Sequence, residues 1–232
     1  MSHDLTIERL PQAVIFDMDG IIFDTEAIAR RLWQEVFAQY ASSYTDEDYL
    51  KVIGRDMAAT KQILLDDYGS ELPIDEMFDV QDKMWQEETS KAAPPLKSGV
   101  FEILDYLSGR DIPCALGSST YLDEVSQRLD RSNLRSYFSV VVGGDCVTHA
   151  KPAPDIFLRC LEGLQAQNPQ LKAEDCLVIE DSRNGLKAAN NAGIPAVMIP
   201  DLITPEDVDN DIDFVVFSSL IDLKNCLQQL SV

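Results

Sequence analysis

The chain reads as an α/β protein, a doubly wound parallel sheet core interrupted by an inserted all-helical domain. Three observations predict this. Short apolar, β-favouring runs recur along the sequence, and each ends in a polar or glycine-bearing turn. Stripes of apolar residues at helical spacing separate those runs, and strands alternating with helices form parallel sheets. One long stretch, residues 25–93, carries helical stripes with no strand-like run between them.

The first strand is Ala13-Val14-Ile15-Phe16, ending in Asp17-Met18-Asp19-Gly20. In the insertion, Leu32, Trp33, Val36, Phe37 and Tyr40 are spaced for one helix. Met57, Ile63, Leu64 and Tyr68 suit a second, and Met77, Phe78, Met84 and Trp85 a third. Trp33, Trp85 and Tyr40 read as core of this insertion rather than as a substrate platform. The connections near Phe23-Asp24-Thr25 and Ala93-Pro94-Pro95 are candidate hinges, giving a core of residues 1–24 and 94–232 around a helical domain of 25–93. Beyond it, Val100, Ile103, Leu104 and Leu107 share a helix face. A second strand, Ile112 to Gly117, ends in Ser118-Ser119-Thr120, and Val140-Val141-Val142 runs into Gly143-Gly144. Ile156, Phe157, Cys160, Leu161 and Leu164 form another helical stripe. Cys176 to Ile179 is a fourth strand ending in Glu180-Asp181-Ser182. A helix follows to Asn191, closed by Gly193 and Pro195. Ala196 to Ile199 and Phe214 to Val216 complete the sheet.

Open parallel sheets bind ligands at the carboxyl ends of their strands. There the sequence places Asp17 and Asp19, then Ser118, then Lys151, then Glu180 and Asp181. A carboxylate can attack phosphorus and split a hard hydrolysis into two easier steps; Asp17 is the expected nucleophile. Asp19 would protonate the leaving oxygen and then activate water. Acids facing a phosphate repel it, so a hard cation, magnesium, is expected on Asp17, Asp181 and the Asp19 main-chain carbonyl, with Glu180 beside them. Lys151, the Ser118 hydroxyl, Ser119 and the N–H groups of the turn at Gly20 would hold substrate phosphoryl oxygens. Each piece alone has a plainer reading. Asp-x-Asp-Gly can be a simple turn, and Ser118 or Glu180-Asp181-Ser182 can cap a helix. Lys151 alone would be a surface lysine. The argument is their order at one sheet edge.

Composition excludes other classes. The 232 residues carry 40 acids against 19 bases, a formal charge of -21, which repels nucleic-acid backbones. No apolar run suits a membrane span and the N-terminus lacks a signal-peptide pattern, so a cytoplasmic monomer acting on a small metabolite is expected, with no nucleic-acid or membrane partner. The five cysteines lack zinc-ligand spacing and read as reduced and mostly buried. The only histidines are His3 and His149, which leaves little for a serine–histidine triad; His149 reads as a loop residue.

Val14-Ile15-Phe16-Asp17-Met18-Asp19-Gly20, Leu116-Gly117-Ser118-Ser119, Lys151-Pro152-Ala153-Pro154-Asp155 and Val178-Ile179-Glu180-Asp181-Ser182 resemble the four ordered motifs of the haloacid dehalogenase superfamily. The helical insertion is similar to the cap of its beta-phosphoglucomutase-like phosphatase branch. The resemblance spans about residues 11–230 and implies a Rossmann-like core, a mobile cap, magnesium and the roles above. Asp19 argues against dehalogenases and phosphonoacetaldehyde hydrolases, which lack that acid. Mutases of the branch carry a cap histidine that Asp24-Thr25-Glu26-Ala27-Ile28-Ala29-Arg30 lacks, so phosphatase is expected over sugar-phosphate mutase. A non-catalytic binding protein on the same fold is the remaining alternative. Gly54-Arg55-Asp56 falls at the branch's specificity loop, and Arg55 either grips substrate or is an exposed turn residue. Arg183 and Asn184 read as helix-start residues.

Overall fold

The computed structural model describes residues 6–40, 43–53 and 57–230, with Ser90 through its backbone alone. His3 and the Gly54-Arg55-Asp56 segment therefore lie outside the described residues. The chain divides into two compact units, residues 1–23 with 95–232, and residues 24–94.

Among the described residues the larger unit holds six parallel strands. These are β1 (Ala13–Phe16), β2 (Cys114–Gly117), β3 (Phe138–Val142), β4 (Cys176–Glu180), β5 (Ala196–Met198) and β6 (Val215–Val216), in the order β3-β2-β1-β4-β5-β6. The strand made first thus lies inside the sheet. Val14, Ile15 and Phe16 pair with Cys114, Ala115 and Leu116 on one side, and with Leu177, Val178 and Ile179 on the other. All four residues of β1 are buried, as continuous apolar runs require when helices cover both faces. Strand order reverses between β1 and β4, so their ends form the crevice where such sheets take ligands.

Five of the helices belong to this unit: α5 (Val100–Ser108), α6 (Leu122–Arg131), α7 (Asp155–Gln165), α8 (Arg183–Asn191) and α9 (Leu220–Gln229). Their predecessors α1 (Glu26–Gln39), α2 (Asp46–Val52), α3 (Met57–Tyr68) and α4 (Ile74–Lys91) make up the smaller unit. Side chains alternate along a strand, so Ala13 and Ile15 join Ile156, Phe157 and Cys160 of α7 and Leu186 and Ala189 of α8 in one core cluster. Val100, Ile103, Leu104 and Leu107 form the buried stripe of α5, which packs against α9. Burying each such side chain contributes about 1.5–3 kcal/mol relative to leaving it in water.

In the smaller unit an aromatic cluster forms the core. The Phe37 and Tyr44 rings stack with centroids 4.4 Å apart, and Phe78 meets Trp33 edge-on at 4.8 Å. Trp33 is buried, whereas Tyr40 and Trp85 are only half-buried. The short, acidic α2 buries only Tyr49 and Val52, three residues apart. A capping box starts it, with the Thr45 hydroxyl accepting from the Asp48 N–H and the Asp48 carboxylate accepting from the Thr45 N–H. The five cysteines are free thiols, with Cys114, Cys160 and Cys176 buried and Cys146 exposed. No helix among the described residues is long and apolar enough to cross a membrane.

Candidate active site

Four strand ends build the site, and each is shaped by local sequence. Asp17 follows β1 with its N–H donating to the Ile179 carbonyl at 3.0 Å, so it leaves the sheet in register with β4. Its side chain is 10% exposed. The turn beyond it folds back tightly, with the N–H groups of Ile22 and Phe23 both donating to the Met18 carbonyl. Gly20 completes the turn at φ +80°, where a Cβ would collide with the Asp181 carboxylate. Glycine here is thus what lets the fourth strand end approach the first.

Lys151 reaches the same place from the loop before α7. Its ammonium donates to Asp17 Oδ1 at 2.5 Å and to Glu180 Oε1 at 2.7 Å, and lies 4.7 Å from the Phe157 ring centre. The loop that carries it is pinned at both ends. Asp155 Oδ2 accepts from the His149 N–H and meets its ring Nδ1 at 2.9 Å, while Asn191 donates to the Pro152 carbonyl. His149 itself is exposed, in keeping with its reading as a loop residue.

Glu180 is 1% exposed and its carboxylate is fully engaged. Oε1 takes Lys151, and Oε2 accepts from the Asp181 N–H, the Ser182 N–H and the Ser182 hydroxyl at 2.7–2.9 Å. A Cβ at Gly185 would occupy the space of that carboxylate, so the first turn of α8 must carry glycine to admit it. Ser182 caps α8 by accepting from the Gly185 N–H, and Arg183 starts the helix with its guanidinium on the Asp207 carbonyl.

Oxygen atoms of Asp17, Glu180 and Asp181 all lie within 4.8 Å of one another. Two oxygens bound to one magnesium at about 2.1 Å are at most about 4.2 Å apart, a separation of the same order. An all-oxygen carboxylate set suits a hard cation. Glu180 spends its acceptors on Lys151 and the α8 turn, which leaves Asp17 and Asp181 as the better pair of ligands. The electrostatics agree. Burial above all, and then the charges of Glu180 and Asp19, push the Asp17 carboxyl above its usual range, against the opposing pull of Lys151. Burial works against the charge on Lys151, but Asp17 and Glu180 outweigh it and hold the ammonium above the ordinary lysine range. Three carboxylates against one ammonium leave an excess of negative charge that a divalent cation would offset.

Ser118 is buried at the end of β2, and its Oγ accepts from the Thr120 N–H at 3.1 Å. It does not cap α6, which begins at Leu122. There Asp145 Oδ1, from the loop after β3, accepts from the Leu122 N–H at 2.8 Å. Ser119 lies in the same turn, exposed. Asp19 sits half-exposed beside the cluster. Its Oδ2 accepts from the Thr120 hydroxyl at 2.9 Å and its Oδ1 from Arg128 at 2.7 Å. Neither partner was apparent from the sequence, where Arg128 stands among the polar residues of a surface-like helix.

Residues 14–199 match the family model described as haloacid dehalogenase-like hydrolase. The chain belongs to that family. Among its relatives, a phosphorylated carbohydrates phosphatase of Thermotoga maritima is 34% identical over 80% of this chain and 83% of its own length. The fructose-1-phosphate phosphatase of Escherichia coli is 31% identical over 79% of this chain and 94% of its own. Among solved structures, CbbY of Rhodobacter sphaeroides in complex with phosphate superposes with a TM-score of 0.71, covering 92% of this chain and 96% of that one at 24% identity. That last likeness is one of fold. The chain is thus a hydrolase with the α/β fold of the haloacid dehalogenase-like family.

Proposed function

We propose that the chain is a magnesium-dependent phosphatase that hydrolyses a small phosphorylated metabolite, foremost a sugar phosphate, through an aspartyl-phosphate on Asp17. The observation that carries this reading is a buried aspartate at the end of a central strand, bonded to a buried lysine and clustered with Asp181. Relatives named for phosphorylated carbohydrates and for fructose 1-phosphate support the substrate class.

In the first step an Asp17 oxygen forms a bond to phosphorus as the bond to the ester oxygen breaks, and Asp19 gives that oxygen its proton. In the second, water attacks the acyl phosphate and yields its proton to Asp19, and phosphate leaves with Asp17 restored. Lys151 and the Ser118 hydroxyl hold phosphoryl oxygens during both, and Glu180 keeps Lys151 aimed. Magnesium bound on Asp17, Asp181 and the Asp19 carbonyl would supply charge neutralisation at the phosphoryl oxygens. The site sits in the sheet unit, and the excess of 40 acids over 19 bases disfavours a nucleic-acid partner.

The test is phosphate release from a panel of phosphorylated metabolites, with Asp17→Asn and a chelator as controls. Asp17→Asn should lose turnover at least about 10³-fold while melting normally, and chelation should abolish turnover until magnesium is restored. An acid-stable, alkali-labile phosphoprotein should form in the wild type only. Full activity in Asp17→Asn would remove the nucleophile. Return of a sugar 6-phosphate from a 1-phosphate, without free phosphate, would make the chain a mutase instead.

A further inference from the structure

The Asp19 carboxylate is held from below by two residues that the phosphatase reading does not use. Arg128, on the inner face of α6, has a side chain only 3% exposed and donates to Asp19 Oδ1 at 2.7 Å. Its second terminal nitrogen donates to Glu124 one turn earlier, and the Ser132 hydroxyl, one turn later, donates to the Arg128 carbonyl at 2.8 Å. Val125 and Leu129, its neighbours on the helix, are fully buried. A guanidinium so enclosed cannot swing away as a surface arginine does. Asp19 Oδ2 meets a different kind of partner. The Thr120 hydroxyl donates to it at 2.9 Å, and a hydroxyl can rotate to accept instead.

We infer that Arg128 is a positioning residue for Asp19, anchoring Oδ1 so that Oδ2, shared with the rotatable Thr120 hydroxyl, is the oxygen that exchanges the proton with the leaving group and with water. The two oxygens are thereby assigned different work. Oδ1 always faces a donor and stays an acceptor. Oδ2 carries the proton in the acid form, when the Thr120 hydroxyl turns to accept or releases it, and gives it to the ester oxygen as that bond breaks. The arrangement also ties the acid to the turn that bears Ser118, because the Thr120 N–H donates to Ser118 Oγ at 3.1 Å. The buried stripe of α6 thus carries one charge, and that charge faces the strand end bearing Asp19.

This inference rests on the phosphatase reading with Asp19 as acid and base, so both must be testable apart. A positioning role is specific to leaving groups that need a proton. Rapid-quench measurement of phosphoenzyme formation would use 2,4-dinitrophenyl phosphate, p-nitrophenyl phosphate and an alkyl phosphate, with wild type, Asp19→Asn, Arg128→Gln and Thr120→Val. Arg128→Gln should slow the alkyl ester about 30-fold or more and the dinitrophenyl ester less than about threefold, a weaker copy of the Asp19→Asn profile. Thr120→Val should show the same trend more weakly. An equal loss across all three esters in a folded Arg128→Gln protein overturns the assignment, because a merely structural defect has no reason to sense the leaving group. If that variant does not fold, Arg128→Lys carries the test with the same expected steepening and the same refutation. Should Asp19→Asn itself be insensitive to the leaving group, the acid role fails; should it be sensitive while Arg128→Gln is not, only the anchor fails.

Discussion

Gly20 shows how one residue can decide whether the candidate site assembles. Its backbone lies at φ +80° and its missing Cβ is the room that the Asp181 carboxylate fills. Gly20→Ala therefore meets two obstacles, a strained dihedral costing about 1–3 kcal/mol and a displaced carboxylate. Urea unfolding should report the first, and a raised magnesium concentration for half-maximal activity the second. Unchanged magnesium dependence would mean that Asp181 has somewhere else to go. The residues at the strand ends were legible in the sequence because their types and order fall where parallel sheets bind ligands. Arg128 and Thr120 were not, since an arginine in a helix as polar as LDEVSQRLDR looks like solvated surface until the fold lays it beside Asp19. Glu180 was legible as an acid beside the proposed metal ligands. Only the geometry gives its four hydrogen bonds, which direct it to Lys151 and the α8 turn.

At the scale of elements, β4 and α8 are joined through one hydroxyl. Ser182 Oγ donates to Glu180 Oε2 at 2.9 Å and accepts from the Gly185 N–H at 3.1 Å, so a helix cap also steadies the carboxylate that aims Lys151. Ser182→Ala should cost about 0.5–2 kcal/mol for the cap alone, read in denaturant midpoint. Its turnover should fall severalfold besides; an unaltered turnover would separate the cap from the chemistry. The same scale explains what sequence reading missed. Ser118 suited a helix cap, yet Asp145 from a distant loop caps α6, and no local pattern announces a cap borrowed across the fold. The helix α2 escaped notice because DEDYLKV is too short to show a period beyond Tyr49 and Val52, although Thr45 and Asp48 stand at capping-box spacing. Strand β6 is two residues long, shorter than the apolar run suggested.

For the whole molecule, alternation of strand-like runs and helical stripes was enough to give the α/β class and a parallel sheet, because each period is set by backbone geometry. The strand order was not readable, since it depends on which edges meet. The charge of -21 acts at this scale too. It repels an anionic substrate over a Debye length of about 30 Å at 0.01 M salt but only about 8 Å at 0.15 M. At fixed magnesium, raising sodium chloride across that range should raise kcat/KM through KM and leave kcat unchanged. A fall would mean that the cationic centre already dominates at a distance. Finally, β1 is flanked by β2 and β4, which come much later in the chain. On the ribosome the strand bearing Asp17 emerges well before either neighbour, and its second edge stays bare until β4 and Glu180 have been made. A nascent chain can therefore hold no finished site until then, and that uncovered apolar strand is where a chaperone would have reason to wait.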